Sequence, residues 1–278
     1  GNLVSEEFLK KIELFVKFSS KENPINIVIG SSYVATINKE GLNSNWTTFS
    51  SAGMNVYESY KFLKYYVNKT KIDTILLGIS PIDFSENISI GVRTGNSFYF
   101  GIDNNNVLDL KSRLQKVKDN IFKLKIPNKL ELNLDTLNIN PKFSISNIDS
   151  IEDSSYIDGM FIYYFVKWFK NVKELPNLDN FNLFYSLAKR NNITLICYFS
   201  PKTIYWTEGL KMYGLELTWK NIKDSLQEKD LIIFDLESHF KDNTPYKFFT
   251  NADHLSPMSV PIITNLIKQK LKQLSYPP

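Results

Sequence analysis

The sequence predicts an α/β protein, a three-layer sandwich on a mainly parallel sheet with a helical cap inserted in it. Three observations predict it. Short continuous apolar runs of strand length recur along the chain, and stretches of helical spacing alternate with them. Several of these runs end in Gly, Ser or Pro, where a loop would begin.

Glu6 to Phe18 (EEFLKKIELFVKF) has helical spacing, and Ile25 to Gly30 (INIVIG) is an apolar run of the kind a buried parallel strand shows. Asn55 to Val67 (NVYESYKFLKYYV) would set Val56, Tyr60, Leu63 and Val67 on one helical face, before a second strand-like run from Ile72 to Gly78 (IDTILLG). Much later come FNLFYSLAKR as helix, ITLICYFS as strand, LTWKNIKDSLQ as helix and LIIFDL as strand. A last helix is expected with Ser256 as N-cap and Pro257 at its first position, carrying Ile263, Ile267, Leu271 and Leu274.

The rhythm breaks at about 85–176, which holds an amphipathic piece (LKSRLQKVKDNIFKL), a polar stretch around Asn138 to Ser155 and the aromatic-rich MFIYYFVKWFK. An insertion this long between core strands reads as a cap or lid within one domain spanning residues 1–278. Phe161, Tyr164, Phe165 and Trp168 read as a helix face packed on the core, or else as the lining of an acceptor site for sugar or lipid.

Composition narrows the function classes. The chain has 278 residues, 43% of them hydrophobic and 14% aromatic, enough for a full core. Its net charge of +4 comes from lysines scattered among acidic residues, with no basic stripe for nucleic acid. The single cysteine, Cys197, excludes an internal disulfide and a cysteine metal cluster, and its apolar surroundings read as core. The apolar runs are too short to span a bilayer. An opening GNLVSEEF without Met reads as a natural N-terminus cut away, and a signal or anchor with it. Sequons at Asn45, Asn68, Asn87 and Asn192 matter only in a glycosylating host, while the Asn/Lys/Ile-rich usage points to an AT-rich bacterium.

In parallel sheets, ligands bind outside the carboxyl ends of the strands. The first predicted strand ends in Gly30-Ser31-Ser32, the second in Gly78-Ile79-Ser80-Pro81 and the third in Ser200-Pro201; the fourth runs toward His239 and then the Asn251 to His254 loop. Hydroxyls and imidazoles thus converge on one edge, which fits nucleophilic acyl transfer. A serine hydroxyl is a poor nucleophile until an imidazole takes its proton, and the resulting oxyanion needs donors already aimed at it. Ser32, on a sharp strand-to-helix turn, is the candidate nucleophile and His254 the candidate base. Oxyanion donors are expected from Ser32 itself, from Gly53, and from the Gly78 to Ser80 turn. Gly95-Asn96-Ser97 follows no strand run and reads as a surface loop. His239 reads as structural or solvent-facing, Asp83 as a cap, and Asp235 as a packing or capping residue. No cluster of His, Cys and carboxylates has ligand spacing, so no metal or organic cofactor is expected.

The blocks VIGSSYV, SSAGMN, LLGISPIDF and NADHLSP, in this order, resemble those of the SGNH (GDSL) hydrolase superfamily, whose blocks are usually GDS, a glycine, GxND and DxxH. The spelling is most similar to a divergent cell-envelope branch that includes the D-alanyl transfer protein of the teichoic-acid pathway. The resemblance implies an SGNH/flavodoxin-like fold, with Ser32 as nucleophile, His254 as base and Gly53 as the second-block glycine. Ser80 stands where an oxyanion asparagine is usual, and Asn251 where the aspartate should be. Three orienters for His254 stay open: the Asn251 amide, Asp253, or a backbone carbonyl.

The function expected is an extracytoplasmic, membrane-anchored serine O-acyltransferase or esterase, including O-acetylation chemistry. It would act on acyl groups of a cell-surface glycan or teichoic-acid-like polymer. The alternative is a catalytically weak or inactive relative that binds a surface glycan or a membrane acyltransferase partner.

Overall fold

The computed structural model describes residues 6–19, 24–51, 54–80, 178–203, 206–207, 210–211, 214–229, 231–240, 248–250 and 254–275. The cap expected at about 85–176 lies outside the described residues, as do Gly53, Asp83, Asn87, the Gly95-Asn96-Ser97 loop, Asn251 and Asp253.

Strands β1 (Ile25–Gly30), β2 (Trp46–Ser50), β3 (Ile72–Ile79), β4 (Thr194–Phe199) and β5 (Ile232–Asp235) form one sheet in the order β2-β1-β3-β4-β5. Every pairing among them is parallel. Helices α1 (Glu6–Ser19), α2 (Ser32–Ala35), α3 (Lys39–Leu42), α4 (Val56–Tyr66), α5 (Asp179–Arg190), α6 (Glu216–Gln227) and α7 (Val260–Ser275) flank it. Side chains alternate across a strand, so each strand feeds two cores. Ile27, Ile29, Leu77, Cys197 and Phe199 pack with residues of α1, α4, α5 and α6. Val28, Leu76, Ile196, Tyr198 and Phe234 pack instead with Val34, Leu42, Ile263 and Ile267. Burial on both faces is why these strands read as unbroken apolar runs rather than alternating ones. Burial also raises the pKa of the Cys197 thiol and the Tyr198 phenol.

Three expectations are corrected. The sheet has a fifth strand, β2, at its edge; Trp46-Thr47-Thr48-Phe49-Ser50 mixes hydroxyls with aromatics and so does not read as a core run. The buried residues of α4 are Val56, Glu58, Ser59, Phe62, Leu63 and Tyr66 rather than Val56, Tyr60, Leu63 and Val67. An aromatic cluster turns the helix: the Phe62 ring stacks on Phe49 at 4.0 Å, and Phe15 lies edge-on to Phe62 at 4.9 Å and to Tyr66 at 4.7 Å. A capping box, with Glu58 N–H donating to Asn55 Oδ1 and Asn55 N–H to Glu58 Oε2, sets the start of this helix.

Finally, α7 begins at Val260, not at Pro257. Ser259 folds back on Ser256, its N–H and its Oγ donating to the Ser256 carbonyl at 3.0 and 2.8 Å, which makes Pro257-Met258 a turn. The first helical bond runs from Ile263 N–H to the Ser259 carbonyl. Pro261 then falls in the first helical turn, where its missing N–H costs nothing. Ile263 and Ile267 are buried as expected, whereas Leu274 is exposed.

Candidate active site

With β1 between β2 and β3, the connections leaving β1 and β3 run to opposite sides, and in open parallel sheets ligands bind outside the carboxyl ends of the strands at such a point. Two glycines shape that edge. Gly30, the last residue of β1, has φ of 143°, a backbone state that side chains disfavour, and a Cβ there would meet the Gly78 carbonyl oxygen at 3.0 Å. Ser31 then caps α2, its Oγ accepting from Tyr33 N–H at 3.4 Å. Ser32 is the first residue of α2 and is half-buried. The helix is seated by Val34, fully buried against Gly78, where any Cβ would overlap Val34 Cγ1.

His254 arrives from the far end of the chain on a pinned loop. Phe249 and Leu255, both buried, form an antiparallel bridge around it. Thr250 N–H donates to the His254 carbonyl at 2.8 Å, and Ser256 N–H donates to the Phe248 carbonyl at 2.8 Å. The loop is tied to the serine side as well. Asn38 N–H donates to Thr264 Oγ1 of α7 at 3.1 Å, and a Cβ on Gly41 of α3 would sit 2.8 Å from Thr264 Cγ2. In the resulting geometry Ser32 Oγ and His254 Nε2 lie 2.7 Å apart, across 222 residues of sequence. In the tautomer protonated at Nδ1, Ser32 Oγ–H donates to Nε2, as a serine awaiting deprotonation requires.

Two further side chains adjoin this pair. The Tyr33 ring faces the His254 imidazole with centroids 5.2 Å apart and planes inclined by 32°. Lys202, three residues beyond β4 and 3% exposed, places its ammonium 3.5 Å from the Tyr33 ring centroid and 4.9 Å from that of Trp206. Lys202 N–H donates to the Glu237 carbonyl at 3.0 Å. The Glu237 carboxylate accepts from Trp219 Nε1 at 3.1 Å and from the Lys223 ammonium, which also reaches Asp235 Oδ2 at 2.9 Å. Burial pulls the Lys223 pKa down, but the charges and hydrogen bonds of Glu237 and Asp235 outweigh it and hold the value above 10.5.

Of the residues singled out from sequence, the structure brings together Ser32 and His254. Ser80 is fully buried just beyond β3, the strand next to β1. Ser200 is likewise buried beyond β4, and its Oγ has no hydrogen-bond partner among the described residues. His239 is exposed and lies edge-on to Phe240 at 4.8 Å. Asp235 pairs with Lys223 and accepts from Glu237 N–H, a structural role. Tyr33 and Lys202 carry no motif; the only hint is position, Tyr33 directly after the serine block and Lys202 just past a strand's carboxyl end.

No family model matches the chain, and no curated protein matches it in sequence. Among solved structures, a Bacteroides fragilis protein provisionally described as an acylhydrolase is similar to this chain. The TM-score is 0.47 and the identity 11%, with 95% of this chain and 96% of that chain covered.

Proposed function

We propose that this chain is a serine acyl-transfer enzyme, an esterase or O-acyltransferase, with Ser32 as nucleophile and His254 as general base. The observation that carries this reading is the 2.7 Å separation of Ser32 Oγ and His254 Nε2 at the carboxyl edge of a parallel sheet. A protein that only binds its ligand has no need of such a contact.

In the first step Ser32 Oγ attacks the acyl carbonyl carbon while its proton passes to Nε2, leaving a tetrahedral oxyanion and an imidazolium. The Ser32 amide, at the first position of α2, has no intrahelical acceptor and is the first donor proposed for that oxyanion. Gly53 and Ser80 are the further donors proposed. Collapse of the adduct breaks the bond to the leaving alcohol, which takes the proton from the imidazolium, and an acyl-Ser32 ester remains. Water or an acceptor hydroxyl, deprotonated by the now neutral His254, attacks this ester and restores Ser32. Asn251 and Asp253 are the proposed side-chain orienters of the imidazole.

The finer reading rests on the resemblance of the GSS, GIS and NADH blocks to the cell-envelope SGNH branch. By it, the substrate is an acylated surface glycan or teichoic-acid-like polymer. The work is then done outside the cytoplasm, by a membrane-anchored protein cooperating with a membrane acyltransferase. Among the described residues, no helix is long and apolar enough to cross a membrane, so the anchor would lie elsewhere.

A fluorophosphonate should label Ser32, and p-nitrophenyl acetate should be hydrolysed; Ser32→Ala should abolish both and His254→Ala should lower both by at least about a hundredfold. A folded wild-type protein that shows neither reaction would overturn the enzyme reading. Adding a glycan acceptor and measuring the share of acyl groups that escape hydrolysis then separates transferase from esterase.

A further inference from the structure

We infer that a groove at the amino edge of the sheet, at the end opposite Ser32, binds a phosphate monoester of a sugar or polyol. Neither the groove nor its test depends on the acyl-transfer reading.

On the face that α7 covers, the strands change character along their length. Val28, Leu76 and Ile196 are neighbours in register across β1, β3 and β4, and all three are fully buried. Two residues nearer the amino ends, on the same face, the row reads Asn26, Thr74 and Thr194. An amide and two hydroxyls side by side depart from the apolar spelling of strands covered on both faces. They line a groove of about 780 Å³, the size of a small-molecule site, which α7 walls with Lys268, Leu271 and Lys272.

The floor suits hydroxyls. Asn26 is 8% exposed, and its Oδ1 has no hydrogen-bond partner among the described residues. A buried acceptor left unpaired is rare in native proteins and costs stability, unless something outside the chain supplies the donor. An amide carries an acceptor and two donors, and a turn about its last torsion changes which of them faces the groove; a ligand hydroxyl, which both donates and accepts, matches either state. Thr194 is exposed and offers a hydroxyl of its own. Thr74 Oγ1 donates to Asp73 Oδ2 at 3.3 Å and keeps its lone pairs for a further donor.

The wall suits an anion. Lys268 and Lys272 stand four apart on α7, where like charges repel, and neither has an ion-pair partner among the described residues. Lys272 lies in the last turn of α7, where the helix dipole favours a cation; Lys268, half-buried and one turn earlier, has no such reason to be there. Asp73, exposed, is the one acidic residue lining the groove against these two lysines, so the lining is net positive. An anion that meets both ammonium groups relieves their repulsion. A phosphate monoester, with a charge of about −1.5 to −2 and three acceptor oxygens, matches two ammonium groups better than a singly charged carboxylate does. The half-buried Leu271 and Ile232 leave an apolar side for the carbons of the same ligand.

The test is an isothermal titration of the whole chain with glucose 6-phosphate, glucose, inorganic phosphate and glucuronate, repeated on Lys268→Gln, Lys268→Gln/Lys272→Gln and Asn26→Leu. Glucose 6-phosphate should bind with a Kd at least about tenfold below those of the other three, each of which meets only part of the site. The double lysine variant should raise that Kd at least about tenfold, and Lys268→Gln or Asn26→Leu about threefold or more. If Asn26→Leu does not fold, the two lysine variants, altered at the surface of α7, still decide the question. Fluorophosphonate labelling of Ser32 should be the same in every folded variant as in the wild type, so a failure of the acyl-transfer reading shows in the labelling and a failure of this one in the titration. Absence of binding at glucose 6-phosphate concentrations on the order of ten millimolar overturns the inference, as does binding that the double lysine variant retains. Inorganic phosphate, glucose or glucuronate binding as tightly as glucose 6-phosphate overturns it too.

Discussion

Replacing Gly78 by alanine should unseat α2 and carry Ser32 away from His254. The added Cβ would overlap Val34 Cγ1 and lie 3.4 Å from Val34 Cβ and 3.6 Å from Cγ2. Val34 is fully buried and β-branched in a helix, so it has essentially one rotamer and no empty space to retreat into. The helix must lift instead. Overpacking by one methyl group costs about 1–3 kcal/mol, and each kcal/mol lowers Tm by about 2–4 °C in a domain of roughly 150–250 residues. The effect on reactivity should be larger, because α2 begins at Ser32 itself: a shift of about 1 Å would slow fluorophosphonate labelling by about a hundredfold. Val34→Ala removes the obstructing methyl groups at a cost of about 1–3 kcal/mol of its own. The double variant should therefore be more stable than the two single losses predict, by at least about 1 kcal/mol, and should recover labelling. Thermal melts read the first effect and labelling rates the second. Gly78→Ala with wild-type labelling, or a double variant whose losses simply add, would refute the seating of α2 on this glycine.

Two further outcomes are expected. Because Glu237 and Asp235 hold the Lys223 pKa above its ordinary 10.5 despite burial, the ion pairs stabilise the protein fully below that pH and lose their effect as pH rises through the raised value. The Tm difference between wild type and Lys223→Met should accordingly be flat from about pH 7 to 10 and shrink above it; a difference unchanged up to about pH 12 would contradict this. Asn251→Asp should raise the rate of ester hydrolysis if Asn251 fills a triad slot that has lost its carboxylate, and a drop in rate would show the amide to be the working group.

How much was legible follows from where each residue sits. Strands β1, β3 and β4 are buried on both faces, and two-sided burial writes itself as an apolar run, while edge strand β5 shows the same run with Ile232 and Ile233 half-buried on opposite faces. Edge strand β2 lacks that signature, and α2 and α3 are too short to show a helical period. The rotation of α4 depended on aromatic partners from α1 and β2, which no local window contains. At the site, Ser32 and His254 could be named because turn residues at strand ends are visible locally. That Tyr33 and Lys202 adjoin the pair could not be read, since only the fold sets what lies against each.

The sequence by itself determined the alternation of strand and helix, the glycine-serine turn after the first strand, and a histidine loop ahead of the last helix. These are short-range consequences of side-chain size, backbone freedom and periodicity. Only the tertiary structure decided which of the candidate groups meet. Four strand ends offered Ser32, Ser80, Ser200 and His239, and the sheet order β2-β1-β3-β4-β5, with α7 tied to α3, brought His254 to Ser32. That choice closes a loop across 222 residues. It depends on the packing of both sheet faces at once, which is why it belongs to the fold rather than to any segment of the chain.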